Sequence, residues 1–200
     1  MNSVDKFFDS DPSKFADSYL KYLSRILDGI DREEIAGFIG NLLEARQSSA
    51  SVFFIGNGGS ASTASHFAND LALGTNSYEK PFRVFSLVDN PAVMTAIGND
   101  FGYEEVFERQ LRVLAKPGDY LVSISASGNS KNLIRAIEYA NKNEIHTIGI
   151  TSFDGGQMKQ ICTSGIHVPA NPKEYGPAED AHLVLDHLAT AYLARYINGI

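Results

Sequence analysis

Val52-Phe53-Phe54-Ile55-Gly56-Asn57-Gly58-Gly59-Ser60-Ala61-Ser62-Thr63-Ala64-Ser65-His66-Phe67-Ala68-Asn69-Asp70 is the stretch that decides the fold. Its first four residues are an apolar run that reads as a buried strand. A glycine turn follows, then residues able to form a helix. Strand, glycine turn and helix start together make an anion site, because free backbone N–H groups and the helix dipole point at the turn. His66 and Asp70, four apart, share one helical face and can reach one metal or one substrate. An anion cradle beside a His/carboxylate pair points to chemistry on a phosphorylated small molecule.

Outward from this stretch, short apolar runs alternate with amphipathic ones. Strands are expected over 52–55, 83–87, 120–124, 146–151 and 165–168, and helices over 60–73, 91–98, 103–114, 132–143, 156–161 and 177–196. That alternation predicts right-handed βαβ crossovers: an α/β fold with a parallel five-stranded sheet between two helical layers. Ligands of such sheets lie beyond the strand C-termini, where strand order reverses. Ahead of this unit, Phe15, Tyr19, Leu20, Leu23, Ile26, Leu27 and Ile30 recur at helical spacing, and Ile35, Phe38, Ile39, Leu42 and Leu43 continue it after Asp31. Residues 1–47 therefore read as a helical extension, an α-hairpin or one bent helix, before a domain over 48–200.

The turn after the third strand holds Ser123-Ile124-Ser125-Ala126-Ser127-Gly128-Asn129-Ser130. Hydroxyls and unpaired N–H groups at one helix start suit a phosphate dianion better than capping alone requires. No Gly-Lys-Ser/Thr follows, so this is not a P-loop, and Gly56-Asn57-Gly58-Gly59 lacks the third glycine of a dinucleotide fingerprint. Ile97-Gly98-Asn99-Asp100-Phe101-Gly102 reads as a loop after a helix, able to present Asp100 to sugar hydroxyls. Near the C-terminus, Glu179, His182 and Asp186 form one helical stripe with His187 beside it, and periodicity alone does not say which histidine meets His66 and Asp70.

Composition narrows the classes. A net charge of −7, with no Lys/Arg cluster, argues against nucleic acid as partner. No apolar run approaches the roughly 18 residues of a membrane span, and the opening residues lack the apolar core of a signal peptide. Cys162 is the only cysteine, which fits a reducing cytoplasm and an ordinary packing role.

These motifs, in this order, resemble the sugar isomerase (SIS) domain family, most closely its phosphoheptose isomerases, over residues 48–193. The resemblance implies a three-layer SIS fold, a homotetramer and conversion of sedoheptulose 7-phosphate to D-glycero-D-manno-heptose 7-phosphate. It implies a zinc ion held by His66, Asp70, Glu179 and His187, with Asp70 and His187 as the proton-transfer pair. It further implies substrate contacts from Asn57, Gly58, Gly59, Ser60, Asp70, Asn99, Asp100, Ser125, Ala126, Ser127, Ser130 and Glu179. The chain departs from the family pattern at Asp70 (for Glu), Glu179 (for Gln) and Ala126 (for Thr). Gly74 or Thr75 stands where an Arg is usual. Glu179 and His187 lie about 12 Å apart along a regular helix, so they either lean together or come from different subunits. Two other readings go with the same motifs: a non-catalytic sugar-phosphate-binding protein like the DnaA-associating relatives, and an isomerase of another sugar phosphate.

Overall fold

In a strand, neighbouring side chains leave on opposite faces. Along 52–55 that rule sends Val52 and Phe54 into one apolar cluster and Phe53 and Ile55 into another. All four are buried, and a strand covered on both sides needs an unbroken apolar run. A computed structural model, describing residues 3–199, shows the resulting three layers. Strands β1 (Ser51–Gly56), β2 (Arg83–Ser86), β3 (Tyr120–Ser125), β4 (His146–Thr151) and β5 (Ser164–His167) run parallel in the order β2-β1-β3-β4-β5.

After the short α1 (Ser3–Lys6), helices α2 (Pro12–Asp28), α3 (Arg32–Ser48), α4 (Gly59–Asn69) and the long α9 (Tyr175–Asn198) supply Ile26, Phe38, Phe67 and Leu185 to the first cluster. Helices α5 (Pro91–Asp100), α6 (Glu108–Leu114), α7 (Lys131–Lys142) and α8 (Gly156–Ile161) supply Met94, Leu111, Ile137 and Met158 to the second. The N-terminal segment is a hairpin: Asp11 caps α2 through Ser13 N–H at 2.9 Å, and Asp31 caps α3 through Glu33 N–H at 2.8 Å.

Three expectations change in kind, while the other element ends move by two residues at most. The helix expected over 60–73 ends at Asn69 and widens into a π turn, Asp70–Gly74, a form frequent at functional sites. The helix expected over 103–114 divides into a 3₁₀ turn, Tyr103–Glu105, and α6. The loop expected around Gly98 is instead the last turn of α5, and Asn99 and Asp100 are exposed there, bonded to each other at 2.8 Å.

Strand order reverses between β1 and β3, whose ends Gly56 and Ile124 are register partners. The glycine loop and the serine loop therefore leave adjacent strands at the switch point. Gly56 is required there: a methyl group on it would lie 2.4 Å from the Ser60 carbonyl oxygen.

The N-terminal helices are tied to α9 through a buried carboxylate. Glu174 receives the Tyr22 hydroxyl, Ser3 N–H at 2.5 Å and Asn171 N–H at 3.2 Å. Burial alone would raise its pKa, but these donors outweigh burial and hold it below the ordinary 4.5. A depressed folded-state pKa stabilises the fold above the unfolded value, and that stability is lost as pH falls through the folded one. Urea midpoints measured from pH 7 downward are therefore expected to fall more steeply below 4.5 in the wild type than in Glu174→Gln. Parallel curves would remove Glu174 from the acid response.

Cys162 packs beside β4, its Sγ 3.1 Å from where a Gly149 side chain would begin, and burial pushes its thiol up to about 12. At mildly alkaline pH it should react with a disulfide reagent roughly a hundredfold more slowly than after denaturation, because the thiolate is the attacking form. Equal rates would contradict this environment.

Candidate active site

Helix α4 opens at the glycine loop. Gly58, at its N-cap, has φ +56°, and no side chain caps the first turn, so the leading N–H groups face the loop. Asn57 joins this loop to the next: it exchanges two 2.9 Å bonds with Asn132, on α7, and accepts the Tyr103 hydroxyl at 2.8 Å. Asn132 and Tyr103 were not expected from sequence, since a lone Asn in a helix and a Tyr after a glycine carry no pattern.

The serine loop is equally braced. The Ser125 hydroxyl accepts Gly128 N–H at 3.1 Å, and Asn129 accepts Gln157 N–H at 3.0 Å. Ser130 is the N-cap of α7, yet its hydroxyl makes no capping bond. Ser127 and Ser130 are partly exposed beside it, whereas Ser125, Ala126 and Ser60 are buried. Both loops thus present backbone donors and hydroxyls at one sheet edge.

Beyond α4's last turn lies the charged centre. His66 Nε2 is 3.1 Å from His187 Nε2, 3.5 Å from Asp70 Oδ2 and 3.9 Å from Asp186 Oδ2. One donor atom from each of these four residues lies within 4.8 Å of the others. A tetrahedral zinc with ligands near 2 Å separates its donors by about 3.3 Å, so this set fits such an ion. Asp186 Oδ2 is buried without a hydrogen-bond partner, which also fits a cation more readily than an empty core position. Burial, and then Asp70, push Asp186 up to about 7.

Of the two histidines on α9, His187 is the one that meets His66 and Asp70. His182 turns into the core, 3.1 Å from the Ser152 hydroxyl, and burial lowers it to about 4, so it stays neutral. Glu179, expected among the metal ligands, does not join the four-donor set. Its carboxylate lies against Gly59: a methyl group there would sit 2.2 Å from Glu179 Oε2. Burial and then Asp180 raise its pKa. Asp186, which the ligand pattern did not include, stands in the set instead. The helical stripe Glu179–His182–Asp186 did contain the signal, because His182 and Asp186 are buried and Glu179 is half-buried.

The fold and this edge define an α/β domain with a glycine loop and a serine loop at its switch point and a four-donor His/Asp cluster on α4, the π turn that follows it and α9. Residues 14–152 match the SIS domain family model. A probable phosphoheptose isomerase of Thermoplasma acidophilum is 35% identical over 178 residues, spanning 89% of this chain and 97% of that protein. The phosphoheptose isomerase of Akkermansia muciniphila is 35% identical over 170 residues, or 84% and 87%. The solved phosphoheptose isomerase of Neisseria gonorrhoeae superposes with a TM-score of 0.79 at 29% identity, covering 90% of this chain and 95% of that one. The chain belongs to the SIS domain family, and within it to the isomerase enzymes. Among the described residues no helix is long and apolar enough to cross a membrane.

Proposed function

We propose that this protein is a zinc-dependent aldose–ketose isomerase that converts sedoheptulose 7-phosphate to D-glycero-D-manno-heptose 7-phosphate. The observation carrying the proposal is the His66–Asp70–His187 cluster: His66 and Asp70 end the helix that the glycine loop opens, and His187 faces them from α9. Ser125, Ser127 and Ser130, with the α7 N-terminus, hold the phosphate; Asn57, Gly58, Gly59, Ser60 and Glu179 line the sugar, and Asn99 and Asp100 reach its far hydroxyls. His66, Asp70 and His187 would hold a zinc ion, which would supply Lewis-acid polarisation of the sugar's carbonyl and adjacent hydroxyl. Glu179, the resemblance's other ligand, does not join that donor set and faces the sugar at the glycine loop instead.

Isomerisation moves one proton between adjacent carbons. Asp70, half-buried, takes the proton from C1 of the ketose, leaving an enediol, and the proton is returned to C2 as the C1 hydroxyl gives up its own. His187, exposed on α9, exchanges the proton of the oxygens in the part of the cycle in which it does not hold the ion. An oligomer, a tetramer by resemblance, is supported by the exposed row Val184, Leu188, Tyr192 and Tyr196 along α9. Cells keep sugar phosphates inside, so a cytoplasmic location goes with this reading.

Zinc-loaded protein incubated with sedoheptulose 7-phosphate in deuterated water is expected to give aldose signals by NMR, with deuterium at C2, and chelation should remove them. Zinc bound without turnover would redirect the proposal to another sugar phosphate. Neither zinc nor turnover would leave a sugar-phosphate-binding protein.

A further inference from the structure

We propose that Asp186, rather than Glu179, is the fourth cation-holding group within this chain, which leaves Glu179 free to face the substrate at the glycine loop. The inference rests on the metal-dependent reading above and assigns a ligand that the family pattern does not contain.

Two independent observations carry it. The first is position. Asp186 Oδ2 lies 3.9 Å from His66 Nε2 and within 4.8 Å of the donors of Asp70 and His187, so the four converge without any contribution from another subunit. The second is an unmet need. The Asp186 side chain is fully buried, Oδ2 has no hydrogen-bond partner, and Oδ1 receives only a 3.4 Å bond from Thr190. A buried carboxylate oxygen with no donor is strongly unfavourable, and no lysine or arginine pairs with it among the described residues; a cation at the His66–His187 pair would satisfy it.

Glu179 is placed for different work. It begins two helical turns before His187, and its carboxylate rests on Gly59, at the first turn of α4. Glycine is what permits this approach, since a side chain at position 59 would occupy the carboxylate's place. A carboxylate held at the rim of an anion loop can accept hydroxyls of a bound sugar while the phosphate takes the serine loop.

Cobalt(II) titration of the full metal-stripped chain, read by calorimetry and by visible d–d absorption, tests this in the wild type, Asp186→Asn and Glu179→Gln. Asp186→Asn is expected to weaken cobalt binding about a hundredfold and to change the absorption spectrum, consistent with the cost of lost metal-site groups. Glu179→Gln is expected to bind cobalt within about threefold of wild type while raising KM for the sugar phosphate. The metal-free Asp186→Asn protein should unfold at or above the wild-type midpoint, because the substitution removes a buried unpaired charge. A purely structural Asp186 would instead lower that midpoint and leave the spectrum alone. Unchanged cobalt affinity in Asp186→Asn, or lost affinity in Glu179→Gln, overturns the proposal. So does a wild type that takes up no cation; turnover measured in chelator then decides separately whether the isomerase reading stands.

Discussion

Replacing His66 with alanine is expected to lower sugar-phosphate isomerisation about a thousandfold and to abolish zinc binding while the fold persists. His66 is the hub of the charged centre: its Nε2 faces His187 at 3.1 Å, Asp70 at 3.5 Å and Asp186 at 3.9 Å. A metal's stabilisation of developing charge is worth several kcal/mol, and about 4 kcal/mol corresponds to a thousandfold in rate. The His66 side chain is 44% exposed, so its removal leaves no sealed cavity, and the metal-free unfolding midpoint should move by the few tenths of a kcal/mol usual for surface sites. Steady-state kinetics, zinc content and metal-free unfolding together read this. A variant that keeps its zinc and most of its rate would move the chemistry elsewhere.

Gly128→Ala carries the second large effect. Gly128 has φ +65°, and a methyl group on it would lie 2.0 Å from the Gly155 carbonyl oxygen, a backbone atom that cannot swing aside. The serine loop is pinned there on both sides: Gly128 N–H donates to Ser125 Oγ at 3.1 Å, and Gly128 C=O accepts Met158 N–H at 3.0 Å. Left-handed strain and the clash together should cost about 3 kcal/mol, or about 6–12 °C in Tm for a chain of this size. The loop's shift should also raise KM for the phosphorylated substrate. Gly118→Ala is the internal control, because Gly118 has φ +86° with open space around its missing side chain. It should cost only the φ strain, about 1 kcal/mol, and leave KM alone. Equal losses in the two variants would show that the Gly155 contact contributes nothing.

Most of the sheet was legible because strand burial writes itself into composition. Val52–Ile55 is apolar throughout and Tyr120–Ile124 is apolar except at Ser123, because both enter clusters on both faces, and their ends announce the two loops. The glycine and serine loops were legible for a related reason: their backbones need residues without side chains or with short hydroxyls. The hydrogen bonds bracing them were not. Asn57 pairs with Asn132, 75 residues away, and no local pattern marks two asparagines as partners.

The centre shows the same division. Helical period alone placed His66 beside Asp70, and Glu179, His182 and Asp186 on one stripe. Period could not say where along α9 that stripe meets α4, because the answer depends on how the two helices cross over the sheet. Packing α9 against α4 brings the His187 end to His66, sends His182 to Ser152 and leaves Glu179 at Gly59. The sequence by itself determined the α/β class, the positions of the glycine and serine loops and the residue types that gather at the centre. Only the tertiary structure decided which donors share one point, because convergence of side chains more than 100 residues apart is a property of how layers pack and not of any local run.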